Sequence, residues 1–163
     1  MFKSLIVVAL LTFATLTNAN AQIVALGASN TAGYGVGAAA AFPAQLQEIL
    51  RANGRPMSVT AAGVSGDTTA GMLARLSSAV PNGTKIVVLQ IGGNDRSKGI
   101  SPAVAAANRA EIRKQLQARG IRTVEADGYV LSALQSGLKQ SDGIHLTAEG
   151  HRRVAQQLAA SIR

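Results

Sequence analysis

The sequence predicts an α/β fold in which a parallel sheet is covered by helices on both faces. Strand-type runs at residues 22–28, 57–62, 85–91 and 121–126 alternate with segments of helical periodicity. That alternation marks a chain that winds parallel strands through helical crossovers. The first run is built of Ala, Val, Ile and Leu with no polar alternation, as a strand buried on both faces requires. The first three runs break abruptly into small residues, at Gly27-Ala28-Ser29, Gly63-Val64-Ser65-Gly66 and Gly92-Gly93-Asn94. Right-handed crossovers bring the loops after parallel strands to one edge of the sheet, where open α/β sheets bind their ligands. Ser29, Gly66 and Asn94 are therefore expected on a single edge.

Between the strands the elements follow from periodicity and punctuation. Residues 31–40 form a Gly/Ala-rich loop. A helix over 41–52 carries Leu46, Ile49 and Leu50 on one face and stops before Gly54. Asp67 or Thr68 caps a helix bearing Met72, Leu73 and Leu76, and Pro81-Asn82-Gly83 turns the chain into the third strand. Ser101-Pro102 opens a long helix that ends before Gly120. Residues 129–138 read either as a short helix or as an ordered loop. A polar loop, Ser141-Asp142-Gly143-Ile144-His145-Leu146, precedes Thr147, which caps a last helix with Val154, Leu158 and Ile162 on its apolar face.

The chain begins Met1-Phe2-Lys3, continues with an apolar block from Leu5 to Leu16 and reaches Ala19-Asn20-Ala21. A positive start, a short apolar run and a small-x-small ending are the parts of a secretory signal peptide. The apolar run is shorter than the roughly 20 residues a membrane span needs. The expectation is a signal over residues 1–21, cleaved near Ala21, and a single domain over 22–163, exported to the periplasm or secreted; an uncleaved anchor is the alternative. The chain has no cysteine and two histidines, so no disulfide framework or thiolate metal site is available and a histidine-rich zinc site is not expected. Its formal charge is +8. The basic residues are scattered and aromatic residues make up 3% of the chain, so base-stacking platforms for nucleic acid are lacking. A solvated basic surface in transient contact with anionic envelope components is the reading that remains.

Ser29 stands where a buried strand opens into a loop. A serine hydroxyl is a poor nucleophile until a base takes its proton, usually a histidine held in one tautomer by a carboxylate. Asp142 and His145, three residues apart, can deliver both from one turn. Loop N–H groups at Ser29 and Gly66 and the side-chain amide of Asn94 can supply donors to an oxyanion. A neutral His145 is required for attack, so acylation is expected to speed up as the imidazole loses its proton. His151 reads as structural or solvated, and Asp67 and Asp95 as acids that order loops. Gly35-Val36-Gly37-Ala38-Ala39-Ala40 formally fits a dinucleotide-binding pattern. However, its glycines stand well past the strand end and no acid closes a second strand at the expected distance.

The segments GASNTAGYG, VSGDTTAGMLARL, VVLQIGGND and DGIHLTAEGH together resemble the SGNH hydrolase superfamily of GDSL-type esterases and lipases. Within it they look like the secreted bacterial thioesterase I/lysophospholipase/arylesterase branch. The resemblance implies a flavodoxin-like three-layer α/β/α fold. It implies Ser29 as nucleophile, His145 as general base and then acid, and Asp142 as its orienting partner. Ser29 N–H, Gly66 and Asn94 would form the oxyanion hole, an acyl-enzyme would form on Ser29, and no metal or cofactor would be needed. The sequence departs from the family pattern in two places. Gly-Asp-Ser-Leu reads Gly27-Ala28-Ser29-Asn30, so the hydrogen bonds of the missing acid fall to another group, for which Asn30 is the candidate. The stretch between Asn94 and Asp142 is short, so the sheet is expected to have four strands, with five as the alternative, and an opened acyl pocket.

The expected activity is hydrolysis of acyl esters or thioesters, with residues 33–40 and 129–138 as the mostly apolar pocket walls. Rival readings are a carbohydrate O-deacetylase at the same site, a non-catalytic envelope-binding module on the same fold, and a nucleotide-binding protein.

Overall fold

The computed structural model describes residues 22–162. The signal segment expected over residues 1–21 lies outside the described residues. Strands β1 (Ile23–Gly27), β2 (Val59–Gly63), β3 (Ile86–Gln90) and β4 (Arg122–Glu125) stand within two residues of the expected positions. They pair in parallel in the order β2-β1-β3-β4. This is the flavodoxin-like order without its last strand. The sheet has four strands among the described residues, and the alternative of five falls away. Part of the ambiguous 129–138 stretch is helix α7 (Asp127–Gln135), which buries Val130 and Ala133 one turn apart.

Alternate residues of the central strands feed two separate cores. Ile23 and Ala25 of β1, with Ile86 and Val88 of β3, point to one face of the sheet. There they meet Phe42, Leu46 and Leu50 of α2 (Phe42–Ala52), Val130 and Ala133 of α7, and Val154 and Leu158 of α8 (Ala148–Ser161). Val24, Leu26, Val87 and Leu89 point to the other face. They meet Met72 of α3 (Thr69–Ala74), Leu76 of α4 (Leu76–Ala79), and Ile112 and Leu116 of α6 (Pro102–Ala118). The unbroken apolar runs of β1 and β3 follow from this, since both of their faces are covered. Truncating one of these fully buried leucines to alanine costs about 2–5 kcal/mol.

The helix starts are as expected. Thr68, Ser101 and Thr147 each accept a hydrogen bond from a backbone N–H inside the first turn, those of Gly71, Val104 and Gly150. Two local expectations need correction. The 31–40 loop is not irregular throughout: α1 (Ser29–Ala32) begins at the serine itself, and Ala38–Ala40 make a 3₁₀ turn. The helix after Thr68 breaks at Arg75 into α3 and α4. The Arg75 guanidinium is drawn inward, with Nε 2.8 Å from Asp67 Oδ2 and Nη2 donating to the Gly27 carbonyl at 3.1 Å.

His151 is fully buried in the first core, so it is structural and the solvated alternative is excluded. Its Nδ1 accepts the N–H of Phe42 at 3.2 Å, which leaves Nε2 as the protonated nitrogen. Burial, helped by the positive charge His145 can carry, pushes the His151 pKa down to about 4. The folded state therefore refuses a proton that the unfolded chain accepts, and stability rises with pH wherever that difference holds. The protein should lose on the order of 2 kcal/mol as pH falls from about 6.5 to about 4. His151→Asn, which keeps an acceptor for Phe42 N–H but cannot be protonated there, should flatten that slope in urea unfolding followed across this window.

Candidate active site

The carboxyl ends of β1, β2 and β3 carry the candidate residues, and pairing brings them level. Gly27 stands opposite Gly63 on one side and Gln90 on the other. Glycine is needed at both Gly27 and Gly63 because α1 folds back onto the sheet end. A Cβ at Gly27 would lie 2.1 Å from Thr31 Oγ1, and one at Gly63 would lie 2.3 Å from the Ala32 nitrogen. Ser29 is thus held at the first position of a short helix laid across the strand ends. Its N–H comes before any carbonyl of that helix that could accept it.

The Asp142–His145 loop meets Ser29 from the opposite side. His145 Nε2 is 2.9 Å from Ser29 Oγ, and His145 Nδ1 is 2.6 Å from Asp142 Oδ2. The other Asp142 oxygen accepts the N–H groups of Ile144 and His145, each at 3.0 Å. The His145 ring foremost, then those two amides, hold the Asp142 pKa down to about 2. Ionised, the carboxylate can only accept, so His145 Nδ1 is the donor. The Nε2 lone pair of neutral His145 then faces the serine hydroxyl. The ring of Tyr34 packs over the imidazole with centroids 4.3 Å apart and a tilt of 30°.

Asn30 fastens the two loops together. Its Oδ1 accepts Leu146 N–H at 2.9 Å and its Nδ2 donates to the Ile144 carbonyl at 3.3 Å, so one side chain holds both neighbours of His145. The hydrogen bonds at the nucleophile turn expected of Asn30 are therefore not made by it; its side chain braces the histidine loop instead. Gln140 adds a second brace, donating to the Tyr34 and Leu146 carbonyls at 2.8 Å each.

Gly66 and Asn94, the first residue of α5 (Asn94–Ser97), reach the same cleft. Gly66 takes a left-handed backbone (φ 77°), which favours glycine. Asn94 Nδ2 donates one hydrogen to the carbonyl of the adjacent Asp67 at 2.8 Å, and the same nitrogen carries a second. The two acids read as loop-ordering behave so. Asp67 binds Arg75 and Thr68 N–H, and the buried Asp95 accepts the Thr69 hydroxyl at 2.7 Å.

The cleft, of about 780 Å3, runs from Ser29 and His145 along α7. Val130, Leu131 and Leu134 form the wall expected from residues 129–138. The other expected wall is corrected: of residues 33–40 only Tyr34 lines the cleft. The 3₁₀ turn over Ala38–Ala40 instead lies beside α2, where Gln45 Nε2 donates to the Ala39 carbonyl at 3.4 Å. Sequence reasoning missed Gln90, Arg109 and Asp127, which also line the cleft. Gln90 had a signal, as the one amide in the apolar run of β3; Asp127 and Arg109 had none.

The chain matches the family described as GDSL-like lipase/acylhydrolase over residues 25–140. It is 33% identical over 103 residues to an esterase, TesA, of Pseudomonas aeruginosa, covering 63% of this chain and 51% of that protein. It is 29% identical over 109 residues to an arylesterase of Vibrio mimicus, covering 66% and 54% respectively. Among solved structures it is similar to AlinE4, an SGNH-hydrolase family esterase. The TM-score there is 0.62 and the identity 29%, over 86% of this chain and 93% of that one. The matched region spans about half the length of the two curated relatives.

The brace makes a stability prediction. Asn30→Ala leaves the buried N–H of Leu146 without its acceptor, which costs about 1–3 kcal/mol. Chemical denaturation should register that loss, and amide exchange at Leu146 should speed up more than exchange in β1.

Proposed function

This chain belongs to the GDSL-like lipase/acylhydrolase family, and on that premise we propose that it is a serine hydrolase of acyl esters working through an acyl-enzyme on Ser29. The carrying observation is the unbroken hydrogen-bond chain from Asp142 through His145 to Ser29. Ser29 Oγ attacks the ester carbonyl carbon while its proton passes to His145 Nε2. The charge on the carbonyl oxygen is met by the N–H groups of Ser29 and Gly66 and the second hydrogen of Asn94 Nδ2. The C–O bond to the leaving alcohol breaks as Nε2 returns the proton to that oxygen. Water then repeats the sequence on the acyl-enzyme and frees the acid. Asp142 keeps the ring in the working tautomer and balances the transient imidazolium.

An apolar acyl group is the favoured occupant of the cleft. Tyr34, Leu131 and Ile144 are large, apolar and more than half exposed, and all three line it beside Val130 and Leu134. A wall of this kind suits an acyl chain better than the ring of a sugar, which weighs against the O-deacetylase reading. Thioester cleavage would use the same steps with a thiol leaving. Export is part of the proposal and is supported by the pattern of residues 1–21 alone.

The test is turnover of short-chain nitrophenyl esters with fluorophosphonate labelling, for the parent protein beside its variants. Ser29→Ala should abolish both signals. Asn94→Ala should lower kcat by about 10²–10³ with little change in KM. A folded parent protein that neither labels nor turns over would overturn the proposal in favour of a binding module.

The pH profile offers a separate check. The Asp142 pKa is depressed to about 2, so this carboxylate stays charged until the solution is far more acid than imidazole protonation requires. The acid limb of kcat/KM should fall with unit slope, one proton per loss of activity, until the buried His151 takes up its own proton near pH 4. A slope of two above that point would mean that the carboxylate titrates together with the base.

A further inference from the structure

Ala28 precedes the nucleophile and offers the turn no side-chain hydrogen bond. The turn is nonetheless tied down from beneath. Gln90 Oε1, at the end of β3, accepts Ala28 N–H at 3.4 Å and the Thr31 hydroxyl at 3.2 Å, on either side of Ser29. Gln90 is almost completely buried, and a free amide there could present oxygen or nitrogen to the turn. Asp127 settles which. Its Oδ1 accepts Gln90 Nε2 at 3.3 Å and Gly92 N–H at 3.0 Å, and its Oδ2 accepts Ile91 N–H at 3.2 Å. Because an ionised carboxylate only accepts, the nitrogen of Gln90 must face Asp127 and the oxygen must face the turn. The Arg109 guanidinium, 4.0 Å from Asp127 Oδ2, balances the charge.

We infer that Asp127 is a positioning residue for the nucleophile, acting through the Gln90 amide on the Ser29 turn and through the Ile91 and Gly92 amides on the loop that carries Asn94. One carboxylate at the start of α7 thereby orients both the nucleophile and an oxyanion donor. Hydrogen bonds in such a chain are worth more together than singly, so the two side chains should behave as a unit. The inference rests on the proposed hydrolase reading for its kinetic consequence, but the hydrogen-bond relay itself does not.

The relay can be reversed, which gives the test. Asp127→Asn has one oxygen for three donors, so whichever way its amide turns its NH2 meets either Gln90 Nε2 and Gly92 N–H or Ile91 N–H. Labelling by fluorophosphonate and kcat should fall by about tenfold, as a lost buried acceptor does. Gln90→Glu sets two carboxylates against each other and should cost a similar factor. With both changes, an amide at 127 donates to a carboxylate at 90, which still accepts from Ala28 and Thr31. Only the Gly92 N–H is then left without its acceptor. The double variant should therefore be about tenfold slower than the parent protein, not the roughly hundredfold expected of independent sites. Arg109→Gln, which leaves the relay in place, should change labelling less than either single variant.

Amide exchange at Ala28 reads the relay whether or not the protein turns over. Exchange there should quicken about tenfold in Asp127→Ala, which removes the acceptor that orients Gln90, and stay within about twofold of the parent protein in the double variant. Single variants that label within about twofold of the parent protein, losses that multiply, or unchanged exchange at Ala28 in Asp127→Ala would overturn the inference. A parent protein that fails to label would count against the hydrolase reading, while the exchange experiment would still decide the role of Asp127.

Discussion

Parallel pairing of β1 with a strand on each side is the constraint on which the rest of this structure depends. Because Gly27 is level with Gly63 and with Gln90, three strands end in one plane. The residues that follow them, Ser29, Gly66 and Asn94, leave that plane within a few positions. No long loop has to search for its place. The chain reverses direction across the sheet between β1 and β3, which is where open α/β sheets form their ligand crevice.

That plane alone would not make a site, because the Asp142–His145 loop follows no strand of the sheet. It is held by side chains that cross from elsewhere. Asn30 holds the backbone on either side of His145, and Gln140 ties the same segment to the Tyr34 carbonyl. Thr147 then begins α8, whose apolar face is buried in the first core. The catalytic candidates are thus mounted on loops but referred to rigid elements within a residue or two, which is how a binding site gains precision from a scaffold.

The short stretch between Asn94 and Asp142 has two structural consequences. It leaves β4 at the edge of a four-stranded sheet, and it brings α7 close enough for its first residue to reach the end of β3. Asp127 accepts the backbone N–H groups of Ile91 and Gly92, donors that continue past the paired strand and would otherwise need solvent. The same helix presents Val130, Leu131 and Leu134 to the cleft. One small helix therefore finishes the sheet and walls the pocket.

Much of this protein was legible in the sequence, for a local reason. Strand runs, caps and small-residue breaks act over a few neighbours, so β1 to β4, Thr68, Ser101 and Thr147 could be read from the chain itself. Ser29, Gly66, Asn94, Asp142 and His145 could be named as candidates because their residue types and order suit that chemistry. Only the tertiary structure decided what lies across large sequence separations. The bond from Asn30 to Leu146, the reach of Asp127 to Gln90, and the burial of His151 against Phe42 have no local signature, because the sequence around one partner says nothing of the other. The same holds for the wall that residues 33–40 did not form. Whether a loop faces a cleft or a helix is settled by packing, and packing is a property of the whole chain.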